Sequence, residues 1–176
     1  MDLAAADTPL GARILKVNHA GEHGAVHIYA GQILVARLTA PSLVSELLEF
    51  KRHEERHRSI FAAELKRRSV SRCKSYWLCA LGGFTLGLIT GLFGKPAIAA
   101  TTVAVERVVL RHLSQQLAVL GPDQAAKLAV SSILEEEQQH HDRSAHHASQ
   151  GTVWPRVLGP VVSASTESVI WLGMRL

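Results

Sequence analysis

His53-Glu54-Glu55-Arg56-His57 supports two incompatible architectures. Read as H-E-x-x-H on a helix, it sets two imidazoles one turn apart with a glutamate beside them, as in a zinc protease. Read as Glu54-x-x-His57, it is part of another pattern, in which two such pairs and two further glutamates, all from helices of one bundle, surround two metal ions. The remaining members of either set must come from elsewhere in the chain.

Acidic residues are rare inside apolar helical stretches, and four stand out here: Glu22, Glu54, Glu106 and Glu137. Glu106 is the plainest, since Thr101-Thr102-Val103-Ala104-Val105 before it and Val108-Val109-Leu110 after it are uncharged. Two residues of an antiparallel hairpin share a height when they are equidistant from its turn. Glu22 and Glu54 have their midpoint at position 38, beside the turn Thr39-Ala40-Pro41-Ser42, and Glu106 and Glu137 have theirs at Gly121-Pro122. Each glutamate then lies about 22 Å from its turn, at about 1.5 Å per helical residue. In both hairpins the second glutamate opens Glu-x-x-His, as Glu54-Glu55-Arg56-His57 and Glu137-Gln138-Gln139-His140. The i, i+3 spacing puts carboxylate and imidazole on one face. A lone Glu followed by Glu-x-x-His therefore occurs twice, at separations of 32 and 31 residues.

That is the ligand set of the ferritin-like di-iron or di-manganese proteins: Glu22, Glu54, His57, Glu106, Glu137 and His140. Hard carboxylates can bridge two ions while one imidazole per ion keeps the site redox-accessible. Four carboxylates also balance two divalent ions where water is excluded. The zinc reading would use His53, His57 and Glu54 and leave Glu22, Glu106, Glu137 and His140 without a role, so His53 is expected to be a neighbour on the polar face.

The surrounding pattern is all-α. Apolar residues at three- and four-residue spacing predict a first helix from Ile14 to about Leu38, then a second to about Arg68 with Ser42 as its cap. A third helix is expected from about Ala97 to Leu120 and, capped by Asp123, a fourth from about Gln124 to His147. Pro155 and Pro160 predict a broken turn before a last helix from about Ser163 to Met174. Between the second and third helices, Ser75 to Gly94 form 20 residues without a charge, carrying Gly83-x-x-x-Gly87-x-x-x-Gly91. Such small-residue spacing lets helix backbones approach closely. The expectation is a single ferritin-like domain over residues 1–176: a four-helix bundle, an apolar helical crossover at about 75–94, and an extra C-terminal helix.

Composition bears on where such a bundle would work. The chain is 47% hydrophobic and only 5% aromatic, with a mean hydropathy of +0.12. Its basic residues concentrate between Lys51 and Lys74, directly before the most apolar stretch, which favours anionic lipid over nucleic acid. If the crossover spanned a bilayer, the two hairpins would face opposite sides and share no metal site. An interfacial insertion is expected instead, with the basic cluster as a second anchor. Met1-Asp2-Leu3-Ala4-Ala5-Ala6-Asp7 has neither a basic n-region nor an apolar h-region, so no signal or transit peptide is expected. Cys73 and Cys79 form no C-x-x-C motif and are expected to be reduced thiols. These features predict a peripheral protein on the cytoplasmic face of the cell membrane.

Val17-Asn18-His19-Ala20-Gly21-Glu22-His23-Gly24-Ala25, Ile28-Tyr29-Ala30-Gly31-Gln32, Thr102-Val103-Ala104-Val105-Glu106 and Glu135-Glu136-Glu137-Gln138-Gln139-His140-His141-Asp142 together resemble the demethoxyubiquinone hydroxylase family of ubiquinone biosynthesis. The likeness runs from Arg13 to Leu176. It implies a monooxygenase with two iron ions per chain, dioxygen as co-substrate and the six ligands above. The substrate it implies is a polyprenylated benzoquinol, 2-polyprenyl-3-methyl-6-methoxy-1,4-benzoquinol (demethoxyubiquinol). Membrane surface lipids, other ubiquinone-biosynthesis proteins and a second copy of the chain would be partners. The chain departs from the family pattern at Asn18, where members carry Asp, and at His112-Leu113, where they carry His-Tyr. That leaves His112 alone as a candidate for a supporting role beside the ligands. Two rival readings are a ferroxidase or iron-binding protein without an organic substrate, and a metal-free helical membrane adaptor. The apolar stretch from Trp77 to Leu92 argues against the polar exterior of an iron-storage cage.

Overall fold

The computed structural model describes residues 9–148 and 153–175; the N-terminal segment read above for a leader and the final position 176 lie outside the described residues. The described residues are helical, without strands, in the order α1 (Leu10–Thr39), α2 (Val44–Arg67), α3 (Tyr76–Leu92), α4 (Lys95–Val119), α5 (Gln124–Ser131), α6 (Leu134–Ala148) and α7 (Val153–Gly173). Helices α1, α2, α4 and the α5–α6 pair form the ferritin-like bundle, α3 is the crossover and α7 the extra helix.

Three local expectations are corrected. Ser42 is not a cap: Pro41 begins a 3-10 turn, Pro41–Leu43, which places Ser42 inside it, and no side chain caps α2. The fourth bundle helix breaks at residues 132–133. There the hydroxyls of Ser131 and Ser132 donate to the carbonyls of Leu128 and Ala129, competing with the helical ladder. Asp123 does cap α5, accepting from the Ala126 amide. The C-terminal helix is longer than expected and runs through Pro160. Pro155 lies in its first turn, where amides have no helical partner anyway. At Pro160 the loss is one internal bond, and packing offsets it: Val162 is buried against Ala104 and Val105 of α4.

Two apolar clusters set the bundle's interior. One joins Ile14 and Leu15 with Phe61, Leu65, Leu113 and Ile133. The other joins Tyr29, Ile33, Leu47, Phe50 and Ile98. On α1, α2 and α4 the predicted ligand residues fall in sequence between members of the first cluster and members of the second. A polar layer is thus held between two apolar ones.

The crossover lies along α1, backbone to backbone. A Cβ on Gly83 would sit 2.3 Å from the carbonyl oxygen of Gly24, and one on Gly87 would sit 2.1 Å from that of Ile28. The small-residue stripe is therefore spent on α1. The opposite side of α3 leaves Trp77, Leu78, Leu81, Ile89 and Leu92 exposed, and α7 exposes Val157, Val161 and Trp171. Among the described residues, no helix is long and apolar enough to cross a membrane. Cys73 and Cys79 are both free and buried.

Candidate metal centre

The six predicted ligands come together. Glu22 from α1, Glu54 and His57 from α2, Glu106 from α4, and Glu137 and His140 from α6 are all buried, none more than 6% exposed. They form two overlapping groups: Glu22, Glu54, His57 and Glu137, and Glu54, Glu106, Glu137 and His140. Within each group, one donor atom per residue lies within 4.8 Å of the others. Glu54 and Glu137 belong to both groups, Glu22 and His57 only to the first, and Glu106 and His140 only to the second.

Their electrostatics mark a site short of positive charge. Burial pushes the carboxyls of Glu22 and Glu106 well above the usual carboxylate range, and their acidic neighbours add to it. Burial also opposes ionisation of Glu54, but the imidazoles of His140 and His57 beside it outweigh burial and hold that carboxyl low. Burial lowers the imidazoles too, but the carboxylates of Glu137, Glu22 and Glu54 outweigh it at His57, raising it to about 12, and those of Glu137 and Glu54 raise His140 to about 9. Protons thus neutralise the carboxylates where cations could.

Whether a metal fits is decided by how the inward-facing atoms are satisfied. His57 Nδ1 lies 2.8 Å from Glu137 Oε1 and His140 Nδ1 lies 3.1 Å from Glu54 Oε1, but none of these four buried atoms is in hydrogen-bonding geometry. Buried acceptors and ring nitrogens held by ion pairing alone are costly, and a cation shared by each pair would satisfy both of its members. A carboxylate-rich donor set with one imidazole per position suits iron or manganese.

Several groups around the ligands escaped sequence reasoning. His53, assigned above to the polar face, has its Nδ1 3.0 Å from His140 Nε2. Glu136 accepts from His57 Nε2 at 2.7 Å and is itself paired with Arg56. Both residues stand directly before the glutamate of a Glu-x-x-His pair, a position that could have been flagged. Tyr29 donates its hydroxyl to Glu106 at 3.1 Å.

A cavity of about 350 Å³ extends from Glu22, Glu54, Glu106 and Glu137 to the surface between α3 and α7. Its walls are largely apolar, including Ala25, Ile28, Leu86, Val105 and Val109, and it reaches exposed Leu78 and Val169. His112 lies on the wall without touching the ligands; its Nε2 is bonded to Glu167 of α7 at 2.7 Å. Asn18, also on the wall, exchanges two hydrogen bonds with Gln116, at 2.8 and 3.0 Å. Aspartate could accept there but not donate, which accounts for the amide. Leu113 sits in the apolar core. The contribution of α7 to the cavity was not legible, because its two prolines had cut the expected helix short.

Fold and site define a class: a ferritin-like helical bundle with a buried carboxylate and imidazole centre. A sequence model of the ubiquinone biosynthesis protein COQ7 matches residues 10–173, and the chain belongs to that family. The chain is 33% identical to a Rhodospirillum rubrum protein named 3-demethoxyubiquinol 3-hydroxylase, covering 93% of this chain and 77% of the relative. It is also similar to mitochondrial proteins named NADPH-dependent 3-demethoxyubiquinone 3-hydroxylase. The Bos taurus protein is 33% identical over 93% of this chain and 77% of its own length, and the Dictyostelium discoideum protein 30% identical over 93% and 76%.

Proposed function

We propose that the protein is a di-iron monooxygenase that hydroxylates a polyprenylated benzoquinol, demethoxyubiquinol, at a membrane surface. The observation that carries this reading is the cavity: apolar along its walls, ending on four buried glutamates, and opening between two helices that expose apolar side chains. Glu22, Glu54, His57, Glu106, Glu137 and His140 would hold the two irons, Glu54 and Glu137 being common to both donor groups. The bound irons would supply dioxygen activation, drawing two electrons from an external reductant. One oxygen atom goes to the ring carbon in place of its hydrogen, and the other leaves as water with two protons.

The chain's own residues orient and seclude the substrate. Ala25, Ile28 and Leu86 give the polyprenyl tail an apolar path, and Val105 and Val109 keep water from the ring. Because His112 Nε2 donates to Glu167, its Nδ1 is left as an acceptor, suited to a quinol hydroxyl. The Thr166 hydroxyl donates to the Val162 carbonyl at 2.9 Å and keeps lone pairs for the same purpose. The exposed apolar side chains of α3 and α7 would rest in the lipid interface, so that a long-tailed quinol passes from bilayer to cavity without crossing water.

The test is reconstitution in lipid vesicles with iron, dioxygen, a reductant and demethoxyubiquinol, with the product analysed by mass. Wild type should yield the hydroxylated quinol and Glu137→Ala none. Equal product from both would sink the proposal.

A further inference from the structure

The two metal positions are backed by different chemistry, and the difference is carried by the residues one place before each Glu-x-x-His pair. His53 precedes Glu54 on α2 and reaches across to His140 of α6, Nδ1 to Nε2 at 3.0 Å with the ring planes within 13°. Glu136 precedes Glu137 on α6 and reaches across to His57 of α2, accepting from Nε2 at 2.7 Å. Each element therefore supplies both a ligand pair and the brace for the other element's imidazole. Arg56 pins Glu136 from the outside. Arg143 binds Glu49 at 2.8 Å, fastening α6 to α2 beside the braces.

In both histidines Nδ1 is the nitrogen that faces the site's carboxylates, 2.8 Å from Glu137 for His57 and 3.1 Å from Glu54 for His140. A metal taken by Nδ1 requires the proton on Nε2, so His57 donates to a carboxylate and His140 donates to a neutral imidazole. A carboxylate behind an imidazole fixes its tautomer and raises its basicity as a ligand; a neutral ring fixes the tautomer with less electron donation. A second difference points the same way, since Glu106, the terminal carboxylate beside His140, shares its charge with the Tyr29 hydroxyl.

We propose that His53 and Glu136 are positioning residues that make the two metal positions unequal, the Glu22–His57 position binding a divalent ion more tightly than the Glu106–His140 position, so that the centre loads in order. This rests on the dinuclear reading above but not on the substrate.

The test is titration of the metal-stripped full-length protein with cobalt(II), followed by visible absorption and calorimetry. Two steps are expected, one ion each. Glu136→Gln should weaken the first step by about 10- to 100-fold, the usual consequence of losing such a brace, while leaving the second. His53→Ala should weaken the second step alone, and His53→Gln, whose amide oxygen can still accept from His140, should restore it. His53→Glu should tighten the second step and narrow the gap. Each variant's helicity by circular dichroism separates a lost brace from a lost fold, and the Gln rescue excludes a merely structural role for His53. If wild type takes up two ions in one indistinguishable step, or if both braces affect both steps alike, the inequality is wrong while the dinuclear site stands. If no cobalt binds, the dinuclear reading itself fails.

Discussion

Replacing Gly87 by alanine should destabilise the protein strongly, whereas the same change at Gly82, five residues earlier in α3, should stabilise it. An added Cβ at Gly87 would lie 2.1 Å from the Ile28 carbonyl oxygen and 3.0 Å from the Gln32 amide nitrogen. A carbon–oxygen contact needs about 3.3 Å, so α3 and α1 would have to separate by about 1.2 Å, and both obstructing atoms are backbone. Overpacking costs about 1–3 kcal/mol, and rigid backbone puts this site at the upper end. Separation would also stretch the buried bond from Gln32 to Thr90, 3.2 Å, and that from Thr39 to the Gly91 carbonyl, 2.6 Å; each contributes about 1 kcal/mol. The sum is about 3–5 kcal/mol, and at about 2–4 °C per kcal/mol for a chain of this size the melting temperature should fall by about 10 °C. At Gly82 an added Cβ meets nothing within 4 Å. Alanine there should gain about 0.5–1 kcal/mol of helix propensity and raise the melting temperature by about 2 °C. Thermal unfolding followed at 222 nm in one detergent compares the two directly. Shifts of the same sign would refute the view that the glycine stripe faces α1 and not lipid or a second copy of the chain.

Metal loading should release protons. Near neutral pH the values of about 12 and about 9 mean that His57 and His140 carry the extra proton in the metal-free protein, and burial favours the neutral carboxyls of Glu22 and Glu106. Two divalent ions should therefore expel at least the two imidazolium protons, read with an indicator dye in weak buffer, and affinity should rise with pH, less steeply once His140 has deprotonated at about 9; a release near zero would place the ions elsewhere. Asp123 should matter through both its cap and Arg68, whose guanidinium binds it at 2.7 Å and holds its carboxyl down at about 2. Asp123→Ala should cost about 1 kcal/mol. Since the folded pKa lies below the unfolded value of about 3.9, that difference is full above about pH 4 and should vanish as pH falls through 2, which acid-dependent melts would check.

How much of this could be read from the chain depended on the range of the interactions. The clustering of the six buried side chains was legible because two constraints coincide: the i, i+3 geometry of Glu54/His57 and Glu137/His140, and the equal distance of each glutamate pair from its turn. The break at Ser131 and Ser132 was not, since a serine hydroxyl chooses between solvent and a backbone carbonyl only once neighbouring helices are in place. Nor was the course of α7, where burial of Val162 against α4 outweighs the missing amide of Pro160. His53 was set aside for a related reason: it shares a face with His57 on α2, but its partner His140 comes only with α6 packed against α2.

The crossover shows how one local rule serves two ends. Glycine at every fourth position removes the side chains from one face of α3, so that α1 and α3 meet through backbone atoms and Gln32 can reach Thr90. That leaves the large residues of α3, Trp77, Leu78, Leu81 and Leu92, on faces that α1 does not cover. A helix packed through side chains would have buried some of these and filled the space toward α7. Packed through glycine, α3 lies close enough for Gly83, Cys79 and Leu86 to wall the cavity that ends on Glu22 and Glu106. The stripe that sequence reasoning took for a mark of close helix association therefore accounts for both the apolar outer surface and the approach to the buried glutamates. Widening the α1–α3 contact, as Gly87→Ala should, would disturb the cavity wall as well as the stability of the fold.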